Sequence, residues 1–117
     1  MTRDALTRSA IQTLAEQNAK VLFCYGSPLI FNRLQQITAL AQKFRLPDMY
    51  LFKEAMGYGG LKSYGPSLGA TYHRAVYYAD KILKGAKPGG LPMEQPTIYK
   101  LMISRKAAAR LGLTTPK

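Results

Sequence analysis

The stretch from Gly59 to Pro96 constrains this chain more than any other, because it carries several structural instructions in close order. Gly59-Gly60 breaks what precedes it, and Leu61 to Tyr64 is a short extended segment. Gly65-Pro66 then turns the chain, with Pro66 suited to the first helical turn, where its missing N–H costs nothing. Leu68, Tyr72, Ala75, Val76, Ala79, Ile82 and Leu83 recur at helical spacing. Gly85 stands where a left-handed cap is wanted, Pro88 blocks continuation, and Lys81 and Lys84 fall in the last turn, where the helix dipole favours positive charge.

Ahead of this stretch, Asp4 to Lys20 reads as an amphipathic helix with Leu6, Ala10, Ile11 and Leu14 as its apolar stripe. Thr2 or Asp4 is its cap, and Thr7 faces solvent. Val21 to Tyr25 is a continuous apolar run of strand length, the pattern of a parallel strand covered on both faces. Gly26-Ser27-Pro28 ends it. A turn of this kind at the C-terminal end of a parallel strand is where α/β sheets place ligand contacts, so Ser27 is either ligand-facing or an ordinary helix N-cap. A second helix follows within Leu29 to Phe44, with Leu34, Ile37, Leu40, Ala41 and Phe44 at steps of three and four; Leu46-Pro47 stops it. Asp48 to Phe52 is a second short strand, and the alternation implies a right-handed crossover. Lys53 to Gly60 is a loop or one helical turn. In it Met56 and Tyr58 are able to face a ligand, and Glu54 belongs to the surface or pairs with a ligand amine. Thr97 to Ile103 is a last strand with one buried face, and Ser104 caps a final helix, Arg105 to Leu111, closed by Gly112.

The expected fold class is therefore α/β. A short, mostly parallel β-sheet carries flanking helices, in the order helix-strand-helix-strand-strand-helix-strand-helix. The 117 residues and 47% apolar content suit one compact α/β domain. No apolar run reaches the ~20 residues that span a bilayer. The N-terminal MTRDALTRSAIQTLAEQ has no apolar h-region, which reads as no signal peptide and, as written, a cytoplasmic chain.

The chemistry-bearing patterns are few. Cys24 is the single cysteine, which excludes an internal disulfide and a cysteine-based metal cluster; it reads as a small buried hydrophobe. His73 stands alone beside Arg74, without a partner for metal binding or catalysis. There is no phosphate loop, no dinucleotide fingerprint after a strand and no nucleophile elbow. The expectation is a chain that is not an enzyme and has no cofactor, no catalytic residue and no metal site. The formal charge is +11, split as +3 over residues 1–60 and +8 over 61–117. A basic nucleic-acid-binding α/β domain is the alternative that this charge raises. Lys81, Lys84, Lys87, Lys100, Arg105, Lys106 and Arg110 would then contact phosphates. The scatter of these residues over helix faces and strand positions favours a solvated basic face and makes nucleic acid the weaker reading.

The order of GGLKSYGPSL, YHRAVYYADKILKGAKP and LPMEQPTIYKLMISRKAAARLGLT resembles the C-terminal part of the ABC-transporter substrate-binding proteins of the tryptophan/tyrosine type. The resemblance runs from about Ala10 to Pro116 and is most specific from Gly59 to Thr115. It implies a type I periplasmic-binding-protein fold, two α/β lobes around a ligand cleft. Family members are much longer, so the chain looks like a truncated C-terminal portion whose residues 1–62 are second-lobe-like. Residues 63–117 would then hold the crossover helix, hinge strand and C-terminal helix. It further implies import of a small organic solute, amino-acid-like or aromatic, through a membrane permease partner, and a periplasmic setting. Carried over by position, Ser27 and Pro28 match the turn after a second-lobe strand, with Ser27 where relatives often have aspartate. Ser63 and Tyr64 match the crossover, with Tyr64 placed to stack on a planar ligand. A cleft so truncated would be incomplete. The unpartnered apolar stripe of the Ser67–Leu83 helix would either fold back on the sheet or be buried by pairing in a homodimer, since exposure costs roughly 1.5–3 kcal/mol per large side chain.

Overall fold

A computed structural model describes residues 2–116. The chain divides into two compact units, one formed by the segments up to Gly65 and from Leu101 onward, the other by Pro66–Lys100. The elements run α1 (Arg3–Glu16), β1 (Leu22–Cys24), α2 (Pro28–Phe31), α3 (Leu34–Lys43), β2 (Asp48–Tyr50), a 3₁₀ turn (Lys53–Tyr58), β3 (Lys62–Pro66), α4 (Leu68–Leu83), a 3₁₀ turn (Pro88–Gly90), β4 (Tyr99–Ile103) and α5 (Arg105–Leu111). The four strands form one sheet in the order β1-β2-β3-β4. β1 pairs with β2 and β2 with β3, both parallel, in the rows Phe23–Met49–Lys62 and Cys24–Tyr50–Ser63. The α/β, mostly parallel sheet expected from the sequence is the one found.

β4 departs from the parallel pattern. Ser104 N–H donates to Leu61 O at 2.8 Å and Ser67 N–H to Ile98 O at 3.0 Å. These two bonds bracket the strands in opposite directions, so β4 runs antiparallel to β3.

The core of the first unit lies on one face of the sheet. Leu22, Cys24 and Tyr50 point to it from the strands, Leu34, Ile37, Leu40 and Ala41 from α3, and Ile11 from α1. Burial along β1 alternates accordingly: Leu22 and Cys24 are buried, while Phe23 is 53% and Tyr25 75% exposed. The expected strand covered on both faces is instead an edge strand with one wet side. β4 corrects the sequence reading in the same way. All five of its residues are exposed, where one buried face was expected.

Three helices also differ in detail. α1 ends at Glu16, capped by Thr2, whose hydroxyl accepts from Ala5 N–H at 3.2 Å. Its inward face runs through Thr7, Ile11 and Ala15, four residues apart, so Leu6, Ala10 and Leu14 of the expected stripe stay exposed. The single helix expected over 29–44 is two, α2 and α3, separated at Asn32-Arg33. There the Arg33 guanidinium turns to ion-pair with Asp4 and to bond Gln36 Oε1 at 3.3 Å. Pro66 closes β3 and Ser67 caps α4, accepting from Ala70 N–H at 3.3 Å. Pro66 therefore lies before the helix, not in its first turn.

In the second unit α4 is tied to the segment that follows it. Arg74 makes a two-point ion pair with Glu94 at 2.7 and 2.5 Å, and Tyr78 O–H donates to Pro92 O at 2.8 Å. The Arg74 guanidinium also lies 4.0 Å from the centre of the Tyr77 ring. Glu94 is held down to a pKa of about 2, chiefly by its hydrogen bond from Arg74. α4 buries none of its residues, and Leu83 is 87% exposed. Of the two outcomes expected for its apolar stripe, fold-back burial is not the one found in the single chain.

Candidate functional site

Parallel strands in register end at the same edge, and here the sequence places two glycines there. A Cβ on Gly65 would lie 2.2 Å from Leu51 O and 3.1 Å from its carbonyl carbon; on Gly26 it would lie 3.0 Å from Leu51 Cδ1 and 3.6 Å from the Phe52 ring. Gly26 and Gly65 thus close on Leu51 from β1 and from β3; Gly26 meets its side chain, whereas Gly65 meets its backbone, an approach that only glycine allows. The segments that continue from these contacts, Ser27-Pro28 after β1, Phe52 after β2 and Tyr64 within β3, share one edge of the sheet.

Each predicted residue has a definite place. Ser27 is the N-cap of α2: its hydroxyl accepts from Ile30 N–H at 3.2 Å, the N-cap alternative of the sequence reading. Pro28 is the first residue of α2 and exposed. Tyr64 lies on the open face of the sheet and is 46% exposed. Ser63, one residue earlier, faces the covered side, is 1% exposed, and its Oγ has no hydrogen-bond partner. The structure therefore brings Ser27, Pro28 and Tyr64 to one edge and sets Ser63 into the core beside Tyr50. Glu54 is half buried with Oε2 withdrawn from solvent and unpartnered, which corrects its expected surface placement. Met56 is half buried and Tyr58 exposed.

Two features escaped the sequence reading. One is an aromatic corner at this edge, where Phe31 of α2 meets Phe52 edge-on, ring centres 5.0 Å apart at 84°. The spacing of 21 residues gives no sequence signal. The other is a buried polar pair at the opposite end of β2. Tyr50 O–H donates to Asp48 Oδ2 at 2.5 Å, and Leu61 N–H to Asp48 Oδ1 at 2.9 Å. Burial pushes the Asp48 carboxyl up from its ordinary value of 3.8, against the opposing pull of those two donors and of Arg110. Burial, followed by the Asp48 charge, raises the Cys24 thiol to about 11. Burial and the bond to Asp48 push the Tyr50 hydroxyl far above its usual range. These groups hold β2 to β3 and make Cys24 unreactive. Among the described residues, no group of three His, Cys, Asp or Glu comes together as a metal site. None of the described helices is long and apolar enough to cross a membrane.

Comparison with solved structures gives the same architecture repeatedly. A conserved domain protein from Vibrio cholerae O1 biovar eltor str. N16961 superposes with a TM-score of 0.88 at 24% identity. An ABC domain in complex with L-Trp from Streptococcus pneumonia superposes at 0.87 and 20% identity. The fold is that of a part of these chains. The superpositions cover 97% of this chain but only 38% and 39% of theirs. A ligand-free, open substrate-binding protein with adhesive properties from Clostridium difficile superposes at 0.66 and 17% identity, over 99% of this chain and 39% of its own. This chain thus spans about two fifths of the length of the proteins whose fold it shares. No family model and no curated protein matches it in sequence.

Proposed function

We propose that this chain is the C-terminal portion of a solute-binding protein of an ABC transporter, with residues 1–62 second-lobe-like and 63–117 forming the crossover, hinge strand and final helix. It works outside the cytoplasmic membrane, delivers a small amino-acid-like or aromatic solute to a membrane permease, and carries out no catalysis. Its share of the cleft is the strand edge with Ser27, Pro28 and Tyr64, and Ser63 supports Tyr64 from behind. The observation that carries this reading is the convergence of Gly26 and Gly65 on Leu51. It makes a narrow, aromatic-rimmed edge with Tyr64 on one side and the α2 cap on the other. Tyr64 offers a ring face for a planar solute, and the Phe31–Phe52 corner supplies apolar wall.

The test is an NMR titration of the chain with L-tryptophan and L-tyrosine, and with L-lysine as a non-aromatic control. The aromatic solutes are expected to shift the amide signals of Gly26, Ser27, Phe52 and Tyr64, weakly because one wall of the cleft lies outside this chain. Tyr64→Ala removes the response. Shifts confined to other residues, or none up to the solubility limit of either aromatic solute, would refute the assignment of this edge.

A further inference from the structure

β4 stands at the end of the strand order, so its outer edge has no strand neighbour among the described residues. The antiparallel pairing fixes which groups that edge presents. Met102 and Ser104 turn their backbone N–H and C=O toward β3, and Leu101 and Ile103 turn theirs outward. Natural edge strands are commonly guarded by a proline, a bulge or lysines within them; β4 has no proline, its one lysine is Lys100, and none lies in the Leu101–Ile103 segment. All three of its residues are exposed. Leu101 and Ile103 share a face and, with Arg105, Thr115 and Pro116, line a hollow of about 320 Å³.

Charge identifies what this edge takes. From Gln95 to Lys117 the sequence has five basic residues and no Asp or Glu. Arg105 and Lys106, both exposed, stand directly beyond the end of β4. We infer that the outer edge of β4 is a docking strand for an acidic, extended segment of a partner protein. The segment adds a fifth strand through the outward N–H and C=O groups of Leu101 and Ile103, seats an apolar side chain in the hollow, and meets Arg105 and Lys106 with carboxylates. A second copy of the chain is the poorer occupant, because each copy carries +11 and would bring basic ends together. Nucleic acid is also the poorer occupant. It offers no strand backbone for the outward amides and would leave three apolar side chains unburied.

The probe is the blocked heptapeptide acetyl-Val-Glu-Val-Glu-Val-Glu-Val-amide, with its lysine counterpart as control, read by residue-resolved amide hydrogen exchange on the whole chain. With the glutamate peptide at about 1 mM, the weak end of specific association, exchange at Leu101 and Ile103 is expected to slow about tenfold, as for edge amides that become paired. The lysine peptide leaves it unchanged. Ile103→Pro removes one outward N–H without touching a bond to β3 and abolishes the protection. Arg105→Glu with Lys106→Glu transfers the response to the lysine peptide, while circular dichroism confirms that both variants fold. Exchange at Leu101 and Ile103 unaltered by the glutamate peptide overturns the inference. So does stronger protection of the same amides by a deoxythymidine oligonucleotide, or a dimer in sedimentation that Ile103→Pro dissolves.

Discussion

Gly65→Ala tests the closeness of β3 to the end of β2, on which the placement of Tyr64 depends. The added Cβ would stand 2.2 Å from Leu51 O, with Leu51 C at 3.1 Å and Cα at 3.3 Å. All three are backbone atoms, so no side chain can swing aside and the strands must part. Overpacking costs typically 1–3 kcal/mol, and contact with immobile backbone belongs at the upper end. Alanine recovers about 0.5–1 kcal/mol through the less flexible unfolded chain. The net loss is about 2 kcal/mol, or roughly 6–12 °C in Tm for a domain of this size. Two companions calibrate the result. At Gly26 the nearest atom is the end of a flexible side chain, Leu51 Cδ1 at 3.0 Å, and at Gly89 nothing lies within 4 Å. Alanine at Gly26 is therefore expected to cost less than about 1 kcal/mol, and at Gly89 to stay within about 0.5 kcal/mol of the original. Thermal and urea unfolding of the three variants supply the numbers. If Gly65→Ala melts with Gly89→Ala, β3 does not approach Leu51 as described, and the convergence behind the proposed site is lost.

Two further outcomes concern the buried groups. The Asp48 carboxyl has a raised pKa in the folded chain, so its contribution to stability is complete below its unfolded value of 3.8 and declines as pH rises through the folded value. Asp48→Asn removes that dependence, and urea titrations from pH 3 to 7 should show the variant gaining on the original as pH rises; a constant difference would contradict the burial of the charge. Cys24, with its thiol raised to about 11, should react with iodoacetamide at pH 8 only through opening of the fold. A native rate within about tenfold of the rate in urea would mean that the thiol is accessible.

The sequence read most truly where a single residue acts on its own neighbours. Ser104 and Thr2 cap the helices that follow them, and Gly85 and Gly112 adopt the positive φ that ends α4 and α5. Capping and left-handed geometry are local, so composition and spacing reveal them. The parallel pairing of β1 with β2 was equally legible, from apolar runs separated by helical periods. The candidate site was legible in part. The Gly26-Ser27-Pro28 turn and Tyr64 come to the same edge, but Ser63 turns to the core, because adjacent strand residues face opposite sides and register decides which.

Apolar residues alone do not say whether a face is covered. Val21, Phe23 and Tyr25, the Leu6–Ala10–Leu14 stripe, α4 and β4 all carry the pattern of buried elements, yet they stand exposed in this chain. Hydrophobic periodicity records which side of an element avoids water; what lies against that side comes from elements distant in sequence or in another molecule. Element type, the caps at Thr2 and Ser104 and the parallel pairing of β1 with β2 were thus set by the order of residues. The burial of Asp48 and Ser63, the Phe31–Phe52 corner and the open faces were decided by tertiary packing, which joins residues that no local rule relates.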